Sequence, residues 1–304
     1  MFFVLSGFLI IRYVYIAKMK DVFFISDFYK RRALRILPLY FLIVFFGLFF
    51  YNILLPVLNI PFEINYTFLD VFWIFLFPNI FAIDYSPGGI LEVLWSIGIE
   101  EQFYLIIAPL MAFVKNKKVV ITLLFITVLY FVVFHLDYFD FLKKYKFVYF
   151  FLLFGGVIGI LEEQRKLQFL KKSKWFSIII VLLTFLYFTS NVLNFDSSLL
   201  KNITALILFS LFIHTIGCNN LGFIVKNKAL NYFGTISYGI YMYHVIALNT
   251  VVFIFLQLRK NIIFNDIVTI VLIFIFTIGL TLIISHISYK YFESYFLNLK
   301  NKYR

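Results

Sequence analysis

Cysteine is nearly absent: the 304 residues contain one, Cys218. A lone thiol excludes an intrachain disulfide framework and a multi-cysteine metal site. Charge is scarce too, at 14% against 63% hydrophobic residues, where a soluble domain carries about 25% charged and about 45–50% apolar residues. With a mean hydropathy of +0.97, an ordinary soluble domain is excluded and the chain reads as a polytopic integral membrane protein. Acidic residues are fewer than basic ones, so the net charge is +12. In a soluble chain that would suggest nucleic acid; here the positive-inside rule accounts for it, and no nucleic-acid partner is expected. No two histidines have metal-ligand spacing such as H-x-x-x-H, and no metal or redox cofactor is implied. The first eleven residues carry no charge, so this stretch does not read as the basic leader of a secretory signal.

What is present is a series of long apolar runs bounded by charge or turn residues. They predict an all-α transmembrane bundle of about nine spans, over 1–17, 36–56, 93–114, 118–136, 147–161, 175–193, 199–217, 236–257 and 265–289. The stretch 68–83 is broken by Pro78 and Asn79 and reads as a short or re-entrant segment within the connection 57–92. That connection has no Lys or Arg, whereas 18–35 has Lys18, Lys20, Lys30, Arg31, Arg32 and Arg35. Alternation along the chain then puts 20 basic residues on one side and 6 on the other, with Arg12 inside the first span. The rich side is cytoplasmic by the positive-inside rule, as is the C-terminus, and 57–92 is extracytoplasmic. No soluble domain, short repeat or low-complexity tract is visible. The whole of 1–304 reads as one membrane-embedded domain.

Charged groups at membrane depth cost about 2.5–3.5 kcal/mol each on insertion scales, so they mark function or compensated structure. Three clusters stand out. The first is Trp95-Ser-Ile-Gly-Ile-Glu100-Glu101-Gln-Phe-Tyr104, where helical spacing puts Ser96, Glu100 and Tyr104 on one face. The second is Phe28-Tyr-Lys-Arg31-Arg32-Ala-Leu-Arg35-Ile-Leu-Pro38. Arg32 and Arg35 can lie side by side and present two guanidinium forks to a phosphate or diphosphate, and Pro38 suits the first turn of the following helix. The plain alternative is a positive-inside flank. The third is Gly234-Thr-Ile-Ser237-Tyr238-Gly-Ile-Tyr241-Met-Tyr243-His244, in which Ser237, Tyr241 and His244 follow one face. Interhelical hydrogen bonding is its plain alternative. His135, His214 and His286 stand singly in apolar runs and read as structural.

In this order, "FFVLSGFLI", "FYKRRALRILPLY", "LWSIGIEEQFYL", "FGTISYGIYMYH" and "SYKYFES" closely resemble acyltransferase family 3, bacterial integral-membrane enzymes, from residue 2 to about 294. The resemblance implies transfer of an acyl group, usually acetyl, from cytoplasmic acyl-CoA to a hydroxyl of a cell-surface glycan. The bilayer of the bacterial cytoplasmic (inner) membrane, the acyl-CoA co-substrate and a free or lipid-linked glycan are the partners it implies. It assigns Arg32 and Arg35 to acyl-CoA. It places Ser6, Gly7, Trp95, Ser96, Tyr104, Ser237, Tyr238 and Tyr241 along the cavity or acyl path. Two departures are visible. The family often reads Glu-Pro near its end, where this chain has Glu293-Ser294. Its first helix, carrying the histidine proposed as catalytic base, has no counterpart here, since Met1 falls where the second helix begins. Glu100 and His244 are then the candidate catalytic groups within this sequence. An inactive chain that keeps the fold, and a glycan flippase, polymerase or other transporter, are the alternatives.

Overall fold

A computed structural model describes residues 1–172, 174–193, 195–217, 227–259 and 265–300, without the side chains of 171, 172 and 300. Cys218 and the eight residues after it, Lys260 and the last four residues of the tail lie outside the described residues. All nine expected segments are helical: α1 (Phe2–Met19), α2 (Ile25–Phe49), α3 (Trp95–Phe113), α4 (Val119–His135), α5 (Tyr149–Glu163), α6 (Lys174–Thr189), α7 (Ser198–Gly217), α8 (Lys228–Leu258) and α9 (Asp266–Ser288). No strand occurs among the described residues. The protein is an all-α, multi-pass membrane protein.

Among the described residues, six helical stretches are long and apolar enough to cross a membrane. A seventh arises if Asp137–Lys144 and Tyr149–Glu163, bent by 80°, form one broken span. The count is lower than nine for reasons of length and polarity. A span needs about 20 residues, but α6 has 16, and α3 carries Glu100, Glu101 and Gln102 in its first half.

Two helix ends differ from expectation. Helix α2 begins at Ile25, so Pro38 lies inside it rather than in its first turn. The basic turns of Lys30 to Arg35 are therefore helical, and only Pro38 leaves its ring where an amide donor would be. Helix α9 does not stop near 289: a π-helical turn, Tyr289–Glu293, carries it into Ser294–Lys300. The amide donors at the starts of α8 and α9 are capped by side chains. Asn227 accepts from the amides of Ala229 and Leu230, and Asn265 from that of Ile267.

The chain forms two compact units, Met1–Ile25 with Ile99–Val225 and Ser26–Gly98 with Lys226–Arg304. In the first unit α1 packs along α5, which also meets α4 and α7, while α6 packs on α7. Val4, Phe8, Ala205, Phe209 and Ile213 form a buried cluster there. The α1–α5 contact depends on glycine. A Cβ on Gly7 would lie 1.9 Å from the Leu152 carbonyl oxygen, and one on Gly155 would lie 2.1 Å from that of Val4. Lipid tails supply no hydrophobic drive between helices, so such backbone proximity is a main source of association.

In the second unit α8 packs along α9. The connection after α2 folds back through two short helices, Phe72–Leu76 and Pro78–Tyr85, that break at Phe77. Asp70 ties this connection together: its carboxylate accepts from the Thr67 amide (2.7 Å), the Thr67 hydroxyl (2.8 Å) and the Tyr85 hydroxyl (2.8 Å). These donors hold its carboxyl below the usual carboxylate range.

Candidate functional site

Helix α8 of the second unit carries the third sequence cluster and anchors it by tyrosine hydroxyls. Tyr238 donates to the Ile36 carbonyl of α2 (2.9 Å), at the turn that also carries Arg35. Tyr241 donates to the Val93 carbonyl (2.8 Å), so the Ser96 hydroxyl, 2.6 Å away, donates to Tyr241. Tyr243 donates to Ser288 (3.0 Å), and Ser288 donates to the buried Glu293 (3.0 Å). Gly239 makes room for that carboxylate, since a Cβ there would be 3.1 Å from its Oε1. Arg35 of α2 is exposed and lies within electrostatic range of Glu293. Arg32, three residues earlier, sits 5.7 Å from the Phe28 ring.

His244 follows one turn after Tyr241. Its Nδ1 is 2.5 Å from the Tyr241 carbonyl. A carbonyl only accepts, so Nδ1 holds the proton and Nε2 carries the lone pair. Among the described residues no group is hydrogen-bonded to that Nε2. The other three histidines have different neighbours. His135 donates from Nδ1 to Phe131 and accepts from Asn202, His286 meets the Tyr232 hydroxyl, and His214 pairs with a carboxylate.

Ser96, Tyr238, Tyr241, His244 and Arg35 thus share one unit, and the structure bonds three of them into a network. Ser237 stays out of it: the side chain is exposed and donates to its own helix at Gly234. Trp95 is partly buried beside Ser96.

The remaining candidates fall in the first unit. Tyr104 donates to Glu100 Oε2 (3.0 Å), one turn away on α3 as helical spacing requires. Ser6 of α1 lies 3.3 Å from the Tyr104 hydroxyl and donates to it. Gly7, the next residue, is the close-contact point with α5. The result is a Ser–Tyr–carboxylate chain that ends on the buried Glu100; separately, on the same helix, Gln102 accepts from Tyr149 at 2.5 Å.

Sequence reasoning missed a second buried carboxylate in this unit. His214 Nδ1 lies 3.0 Å from Glu162 Oε2, with side-chain exposures of 1% and 11%. Beside it Arg12 of α1 pairs with Glu163 at 2.9 Å, and Gln164 donates to Tyr15 at 2.9 Å. No local spacing signals the His214–Glu162 pair, because its members come from different helices.

Buried carboxylates, tyrosine-pinned helices and an arginine-bearing helix define a multi-pass membrane protein with polar machinery inside its helical units. The acyltransferase domain of family 3 matches residues 1–286. The chain belongs to acyltransferase family 3. It is 28% identical to the peptidoglycan O-acetyltransferase OatA of Listeria monocytogenes over 96% of its own length and 50% of that protein's. It is also 27% identical to an uncharacterized protein of Haemophilus influenzae, over 72% of this chain and 98% of the other. The chain thus spans half the length of the Listeria relative. No solved structure matches it.

Proposed function

We propose that this protein transfers an acyl group, acetyl by preference, from acyl-CoA to a hydroxyl of a cell-surface glycan at the bacterial cytoplasmic membrane. The donor is taken from the cytoplasmic side, where the C-terminus also lies. Family membership and the likeness to a peptidoglycan O-acetyltransferase support this reading. The observation that carries it is His244, whose Nδ1 proton is held by the helix backbone while its Nε2 has no hydrogen-bond partner among the described residues.

Arg32 and Arg35 hold the phosphates of the donor, as two forks three residues apart on α2 can. His244 Nε2 takes the proton from the acceptor hydroxyl as its oxygen attacks the thioester carbonyl. The new C–O ester bond forms, the C–S bond breaks, and the proton passes to the departing thiolate. Ser96 and Tyr241 fix the turn from which His244 projects. Glu100, bonded by Tyr104, orients its neighbours and shapes the polar interior rather than moving a proton. Ser6, Gly7, Trp95, Ser237 and Tyr238 are proposed to line or support the acyl path.

The test is donor-dependent transfer by full-length protein in membrane vesicles, with labelled acetyl-CoA and isolated cell-wall glycan. Replacing both Arg32 and Arg35 by Ala is expected to abolish labelling of the glycan. Unchanged transfer by the double variant would refute the phosphate role.

A further inference from the structure

The first unit contains a basic cavity of about 490 Å³ at the C-terminal end of α3, where the chain reverses into α4. Its wall includes Lys18, Lys115, Asn116, Lys117 and Lys118. A helix C-terminus exposes carbonyls and a partial negative charge, which alone would repel an anion. Here that end is covered. The Lys18 ammonium donates to the carbonyls of Met111 (2.5 Å), Ala112 (3.3 Å) and Val114.

With the carbonyls occupied by Lys18, the other three ammonium groups are in excess. Lys115, Lys117 and Lys118 are exposed, and among the described residues none of them is in a salt bridge. The chain from Gln102 to Leu136 contains no Asp or Glu to balance them. Phe113, which also lines the cavity, is 85% exposed. A plain charge flank needs neither a concavity nor a lysine covering the helix end. The volume falls in the range of ordinary ligand pockets, about 300–1,000 Å³, and has room for a phosphate with its esterified group.

We infer that this cavity binds a phosphate-bearing anion at the membrane surface, with Lys115, Lys117, Lys118 and the Asn116 amide as donors. The phosphate could come from a lipid headgroup or from a nucleotide-type donor. This holds whether or not acyl transfer is the reaction.

The experiment compares full-length wild type with the triple variant Lys115→Gln, Lys117→Gln, Lys118→Gln, and with the matching triple Lys→Arg. In one arm, protein from phosphatidylglycerol nanodiscs is scored for retained lipid by native mass spectrometry. In the other, coenzyme A is titrated onto protein in phosphatidylcholine nanodiscs. The Gln variant is expected to lose about tenfold to hundredfold in one arm, as fits three cations near an anionic group, with the Arg variant restoring it. Loss in the lipid arm assigns a headgroup, and loss in the coenzyme A arm assigns the donor. No loss in either arm overturns the site. Wild type alone gives a second check. Whichever anion it retains is expected to dissociate between 0.1 and 1 M NaCl, as the screening length falls from about 10 to about 3 Å. Salt-insensitive retention would contradict the inference.

Discussion

His244 shows how one backbone contact can set the chemistry of a side chain. Because its Nδ1 proton is committed to the Tyr241 carbonyl, the acceptor lone pair projects from Nε2. General-base catalysis by a positioned side chain contributes about 10²–10⁴-fold. His244→Gln keeps an amide in place but has no basic nitrogen, so acetyl transfer is expected to fall by about that factor, with donor affinity unchanged. A variant with wild-type turnover would remove His244 from the reaction. Sequence spacing put His244 and Tyr241 on one face, and the structure keeps that relation. The tautomer was not legible, because it depends on ring orientation. Ser237 sat in the same pattern but turned outward onto Gly234, since a serine in a helix can satisfy its hydroxyl on its own backbone.

At the scale of elements, the α1–α5 contact is the most demanding packing in the first unit. Gly7→Ala would put a methyl group against the Leu152 carbonyl oxygen, a backbone atom that cannot swing aside. It is expected to destabilise the protein by about 1–3 kcal/mol, the usual cost of overpacking. The control is Gly279→Ala on α9, where nothing lies within 4 Å of the new methyl; its unfolding midpoint in detergent should match wild type. Equal midpoints for both variants would mean that Gly7 is not a contact point. The role of Gly7 was readable from its place in an apolar helix. Its partners were overlooked, although Gly155-Gly156-Val-Ile-Gly159 carries the small-xxx-small signal of close helix pairing.

The connection between α2 and α3 gives a pH prediction. Asp70 has its carboxyl lowered from the ordinary value of 3.8, chiefly by the Thr67 amide and then by the Thr67 and Tyr85 hydroxyls. A lowered folded-state value means that its tie is fully present above about pH 3.8 and is lost as pH falls through the folded value. Limited proteolysis of 57–92 is therefore expected to be slow and flat with pH down to that point and to rise below it. Asp70→Asn should raise it at neutral pH. Cleavage of the variant at the wild-type rate would show that Asp70 does not hold the connection.

Across the whole molecule, hydropathy located all nine helices because the bilayer demands long apolar runs. Helix ends were less legible. Charge was taken to end a helix, yet α2 runs through the arginine turns from Ile25, and α9 passes through a π-helical turn at Glu293. The His214–Glu162 pair was illegible for another reason. Local periodicity reports one helix at a time, and this contact joins two. The motifs that named the family survived as clusters within units: Arg35, Tyr238 and the Ser96–Tyr241–His244 network in one, Ser6–Tyr104–Glu100 in the other.

The most direct measurement is transfer of a labelled acetyl group from acetyl-CoA to a glycan hydroxyl by the purified full-length chain in liposomes. The proposed reaction leaves base-labile, ester-linked label on the glycan and releases one free thiol per ester formed. Intact acetyl-CoA and unlabelled glycan, from protein shown to be folded, would contradict it.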